Sequence, residues 1–136
     1  MKYLLDTHVV SWSAQNDPRL SLPARKIVAE ATRGELAILD VTLSELARHL
    51  ATGAISSHLP SARWLEQAAA GLVILPVTPA IALLAATLNW ETQGVPHRDP
   101  CDRHIVAAAL AHHLPLLTID AKMHALSGQH GLRVIW

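Results

Sequence analysis

Four acidic residues, far apart in a chain of 136 residues, carry its most informative chemistry: Asp6, Glu45, Asp102 and Asp120. Asp6 ends the apolar run Tyr3-Leu4-Leu5, Asp120 follows Leu116-Leu117-Thr118-Ile119, Asp102 opens an apolar helix, and Glu45 lies inside another. A carboxylate beside a core costs free energy unless it is paired, hydrogen-bonded or bound to a cation. Few basic residues neighbour these four, so a divalent ion is the expected counter-charge. Mg2+ or Mn2+ suits an all-oxygen donor set, and such an ion can polarise a phosphodiester and generate hydroxide from bound water. Like charges crowded together repel, so Mg2+ or Mn2+ is expected to raise the melting temperature.

Taken singly, each acid has a plainer reading. Asp102 would be a helix cap, Asp6 and Asp120 turn residues, and Glu45 a solvated helix residue. Their joint placement favours the cation site. Thr7 and Thr118 stand beside two of the acids, where their hydroxyls can orient a carboxylate or a metal-bound water. His97 and Arg98 precede Asp102 and are candidates for phosphate contact; Arg103 would do the same or pair with Asp99. No HExxH spacing or Cys/His cluster is present among the nine histidines, which argues against zinc. Cys101, the lone cysteine, excludes an internal disulfide and reads as a small buried hydrophobe rather than a nucleophile.

The elements that must position these acids alternate. A strand at Tyr3–Leu5 leads to a helix near His8–Ala14, and Ser21-Leu22-Pro23 starts a second helix running to Thr32, with Gly34 after it. Strand Leu36–Leu39 precedes the Glu45 helix, which Thr42 or Ser44 caps and Gly53 closes. A helix from Ser61 to Ala70 leads to strand Leu72–Leu75 and then to a helix over Ala80–Trp90. Gly94–Pro100 reads as a loop. Helix Asp102–His113, strand Leu116–Ile119, a short helix Lys122–Leu126 and strand Arg133–Trp136 complete the chain. Strands alternating with helices predict right-handed crossovers and a mostly parallel sheet covered on both faces, with ligands at the carboxyl ends of the strands.

Composition agrees with one domain over residues 1–136. Hydrophobic residues make up 51% and charged residues 16%, which excludes a disordered chain. The formal net charge is zero with histidine neutral, so any nucleic-acid contact must be local. No stretch reaches membrane-spanning length and no secretory leader is evident, so the cytoplasm is the expected location. Trp12, Leu50, Trp64 and Leu65 are candidates for a partner surface, although core packing is the preferred reading for at least half of them.

With these residues in view, the chain resembles PIN-domain proteins of the VapC-like toxin group. The resemblance is carried by Leu4-Leu5-Asp6-Thr7-His8, Ser44-Glu45-Leu46-Ala47, Arg98-Asp99-Pro100-Cys101-Asp102-Arg103 and Leu116-Leu117-Thr118-Ile119-Asp120. It implies a three-layer α/β/α sandwich with a mostly parallel central sheet, and an endoribonuclease that acts as the toxin of a type II toxin-antitoxin pair. By the same resemblance Asp6, Glu45, Asp102 and Asp120 bind Mg2+ or Mn2+ and are catalytic. Asp99 matches a further acid and Thr118 a hydroxyl position. The implied partners are RNA, a cognate small antitoxin that reaches into the active-site groove, and a second copy in a homodimer. On that reading His97, Arg98 and Arg103 become candidate RNA contacts. Two positions depart from the group: Cys101 stands where phenylalanine is more usual, and His104 where an aliphatic residue is. A noncatalytic binding module, or a nuclease with an RNA-processing or DNA substrate, are the alternatives.

Overall fold

A computed structural model describes residues 1–136. Its main sheet contains strands β1 (Tyr3–Leu5), β2 (Leu36–Leu39), β3 (Val73–Leu75), β6 (Leu116–Leu117) and β7 (Val134–Ile135). They are ordered β3-β2-β1-β6-β7, and each neighbouring pair is parallel. Register is set by pairs such as Leu4 with Ala37 and Leu4 with Leu116. The five expected strands are therefore present, with the last three shorter than expected.

The period-2 alternation of strand side chains sorts them onto two cores. Leu4, Ala37, Leu39 and Leu116 point to a core with Ile81, Ala85, Ile105, Val106 and Met123. Leu5, Leu36, Ile38 and Leu117 point the other way, against Val9, Trp12, Leu46 and Trp64. The first face is covered by α5 (Pro79–Thr87), α6 (Pro100–Ala111) and α7 (Ala121–Ala125). The second is covered by α1 (Thr7–Ala14), α2 (Leu22–Glu30), α3 (Asp40–Thr52) and α4 (Ser61–Ala69). This is the expected three-layer α/β/α sandwich. Trp12 and Trp64 are core residues at 7% and 5% exposure, and Leu50 and Leu65 pack beside them. No helix is long and apolar enough to cross a membrane.

Three local expectations need correction. Helix α3 starts at Asp40, directly after β2, so neither Thr42 nor Ser44 caps it; Leu39 holds that position without a side-chain bond. Asp40 instead faces the positive end of the helix dipole and accepts a hydrogen bond from the Val77 N–H at 3.1 Å. Helix α5 ends at Thr87 rather than Trp90. The segment read as a loop from Gly94 contains part of an antiparallel hairpin, β4 (Glu91–Thr92) and β5 (Val95–Pro96). Gln93 and Gly94 both have positive φ, at 52° and 78°, as a two-residue turn matched to strand twist requires. The hairpin leaves a weak sequence signal because Gln93 replaces the usual Asn or Asp before Gly94 and each strand has two residues.

Candidate active site

The order of the main sheet reverses direction at β1. The chain builds outward through β2 and β3, then crosses back to place β6 on the other side of β1. A crevice forms outside the carboxyl ends of two strands at such a switch point. Asp6 immediately follows β1, and Thr118 immediately follows β6.

Asp6 is the N-cap of α1 and is 3% exposed. Its Oδ1 accepts the Thr7 N–H at 2.7 Å, and its Oδ2 accepts the Thr118 hydroxyl at 2.6 Å. Thr118 is fully buried, and its Oγ1 also accepts the Asp120 N–H at 3.0 Å. One hydroxyl thus ties the first acid of the chain to the last. The Thr7 hydroxyl donates to Glu45 Oε2 at 2.5 Å, which brings α3 to the same edge. Burial pushes the Asp6 carboxyl above its ordinary value against the lowering effect of the Thr118 bond, and the Glu45 charge adds to the rise.

Asp120 caps α7, its Oδ1 accepting the Lys122 and Met123 N–H groups at 2.7 and 3.0 Å. Asp99, rather than Asp102, caps α6; its Oδ1 accepts the Asp102 N–H at 3.1 Å, with Pro100 in the first turn. Asp102 is therefore a first-turn residue whose carboxylate is released from capping. That carboxylate meets His97 Nε2 at 2.8 Å. Burial, followed by the charges of Asp99, Asp6, Asp120 and Glu45, pushes the Asp102 carboxyl up to about 7. The five acids therefore share one electrostatic neighbourhood.

They do not form a closed cage. No three His, Cys, Asp or Glu side chains stand together as a ready-made metal shell. Mg2+ typically keeps several waters and takes only one or two carboxylates from a protein, so an open acidic crevice still matches its preference. The donors are all hard oxygens, and their mutual repulsion is what a cation would relieve.

The flanking candidates divide. His97 is 8% exposed and lies inside, on Asp102, rather than at an open phosphate-binding surface. Arg103, expected at phosphate or on Asp99, turns into the fold and donates to the carbonyls of Ala85, His97 and Leu88 at 2.6, 2.8 and 2.5 Å. Arg98 remains exposed. Arg48, unremarked in the sequence, lies 3.7 Å from Glu45 Oε1 and lines a groove of about 450 Å³ with Glu45, Asp99, Cys101 and His104. Its i,i+3 spacing from Glu45 was the available signal. Cys101 is half-buried, and burial pushes its thiol up to about 12, which makes it a poor nucleophile. His104 bonds back to the Pro100 carbonyl at 2.6 Å.

These features define the class: an α/β/α sandwich with carboxylates gathered at its topological switch. The PIN domain model matches residues 3–129, and the chain belongs to the PIN-domain family. Ribonuclease VapC22 of Mycobacterium tuberculosis (strain ATCC 25618 / H37Rv) is 33% identical over 122 residues, covering 90% of this chain and 89% of that protein. The fold is shared with VapBC2 from Rickettsia felis bound to a DNA fragment from their promoter, at TM-score 0.71 and 18% identity over 99% of this chain and 98% of that one. It is also shared with VapBC-1 from nontypeable Haemophilus influenzae, at TM-score 0.68 and 23% identity over 99% and 97%.

Proposed function

We propose that this PIN-domain protein is a Mg2+- or Mn2+-dependent endoribonuclease of the VapC type, the toxin of a type II pair held in check by a small antitoxin. The observation that carries this reading is the convergence of the acids at the carboxyl ends of β1 and β6, where Thr118 bonds both Asp6 and the Asp120 N–H and Thr7 brings in Glu45. Asp6, Glu45, Asp102 and Asp120 would hold the cation, and Asp99 would support them. The cation would supply Lewis-acid stabilisation of the phosphoryl oxygens and a water of lowered pKa. Thr118 keeps Asp6 oriented and Thr7 keeps Glu45 oriented, both through donated hydrogen bonds. Arg98 is the flanking cation left free to meet the RNA backbone. The cytoplasm is the working location consistent with an RNA substrate. A homodimer would have exposed apolar side chains to cover, Leu83 at 67% and Val95 at 66%.

The test is cleavage of RNA by purified, antitoxin-free protein. Cleavage should require Mg2+ or Mn2+, and Asp6→Asn should reduce it by more than the roughly 10–100-fold that changes outside the ligand set cost. Equal cleavage by the variant would assign the activity to a contaminant. Growth arrest on induction, relieved by coexpression of a small neighbouring gene product, distinguishes a toxin from a processing enzyme or a binding module.

A further inference from the structure

The β4–β5 hairpin is outside the main sheet, yet it delivers one residue to the acids. His97 follows β5 directly, and its ring stacks on Trp90 with centroids 3.9 Å apart and planes at 25°. Its backbone N–H donates to the Trp90 carbonyl at 2.9 Å, which closes the base of the hairpin. Its carbonyl accepts from Arg103 at 2.8 Å, and the same guanidinium fastens the carboxyl-terminal end of α5 through Ala85 and Leu88. The imidazole is thus fixed by its ring face and by both of its backbone polar groups. Asp99 rather than Asp102 caps the helix, and the Asp102 carboxylate meets His97 Nε2 through Oδ2 at 2.8 Å. Around it lie the charges of Lys122, Asp120, Asp99 and Arg103.

We propose that His97 is a positioning residue: it holds Asp102 Oδ2 and so leaves Oδ1 as the ligand atom offered to a divalent cation. This rests on reading the acidic crevice as a cation site. Carboxylates that bind metals are commonly held by such partners, whose loss weakens metal binding by roughly 10–100-fold.

The experiment is Mn2+ binding to the full chain by calorimetry, with metal-free melting measured alongside. His97→Phe keeps a ring on Trp90 and removes the hydrogen bond; its Mn2+ affinity should fall roughly 10–100-fold. His97→Gln restores an N–H at similar reach and should recover most of that loss. Unchanged affinity in His97→Phe, or equal weakening in both variants, overturns the proposal. Should His97→Phe fail to fold, the wild-type protein carries the test by nitrogen NMR. The His97 ring resonances should shift on saturation with Mg2+, and resonances that do not move overturn the proposal. Wild-type protein that binds no Mn2+ overturns the cation-site reading itself, and the positioning role falls with it.

Discussion

Asp6 and Asp102 enter the same crevice from two differently built regions. Asp6 follows the central strand, is almost completely buried, and has each oxygen satisfied by a neighbour at the sheet edge, Thr7 or Thr118. Asp102 rides on α6, with 21% of its side chain exposed, and depends on a histidine that the hairpin, Trp90 and Arg103 hold in place. The first arrangement follows from strand pairing: once β1 and β6 are in register, Thr118 meets Asp6. The second is assembled from α5, the hairpin and α6, and is expected to fail without disturbing the sheet.

The strongest way to separate the two regions is Arg103→Ala. Its guanidinium makes three hydrogen bonds to backbone carbonyls, and hydrogen bonds to charged groups contribute about 1.5–3 kcal/mol each without being additive. We expect a stability loss of about 3 kcal/mol in urea unfolding. Arg103→Lys should recover little, because an ammonium cannot span carbonyls that a rigid fork reaches together. A loss in Arg103→Ala below about 1 kcal/mol would mean that burial of Trp90 in the core, rather than the Arg103 fork, docks the hairpin.

On the sheet side, Thr118→Val keeps shape and removes the hydroxyl that bridges Asp6 and the Asp120 N–H. The expected cost is about 1–3 kcal/mol at neutral pH, the range for leaving a buried polar group unpaired. The Asp6 carboxyl should rise further, since the Thr118 bond is the largest influence holding it down. Carbon NMR of the Asp6 carboxyl through a pH titration checks this, and an unmoved titration would show that Thr118 only fills space.

The same contrast explains what was legible in the sequence. Asp6 and Asp120 were readable as strand-end acids because short apolar runs stop at them, and Thr7 and Thr118 because they adjoin those stops. The two-core sandwich followed from strands alternating with helices. The cap of α6 is ambiguous in the sequence because Asp99 and Asp102 both lie within one turn; the Asp102 N–H donated to Asp99, with Pro100 in the first turn, assigns it to Asp99. His97 and Arg103 are candidates for phosphate in the sequence, Arg103 alternatively for Asp99, because both stand beside the acidic segment. Their actual partners, the carbonyls of Ala85 and Leu88 and the Trp90 ring, are supplied by elements folded back onto α6. No local period encodes that return.

The smallest effect concerns pH and tests both regions together. Asp102 has an ordinary value of 3.8 and rises to about 7 in the folded protein, and Asp6 is raised as well. A raised carboxyl means that the folded state binds protons more tightly than the unfolded one, so its stabilising contribution is complete below pH 4 and is lost as pH climbs through 7. Asp17, lowered to about 2 by Arg19, acts with opposite sign below that window, and His97, lowered chiefly by burial, opposes part of the Asp102 slope inside it. After allowance for the part of Asp102 that faces solvent, its share is about 1 kcal/mol, or roughly 3–5 °C in melting temperature. Metal-free protein should therefore melt lower at pH 8 than at pH 5, and Mg2+ should reverse the difference by neutralising the crowded acids. Asp102→Asn should melt above the wild type at pH 8 without metal and gain less from Mg2+. If that substitution leaves the pH slope intact, the repulsion resides in the Asp6 and Glu45 side of the crevice, and the α6 side is electrostatically independent of it.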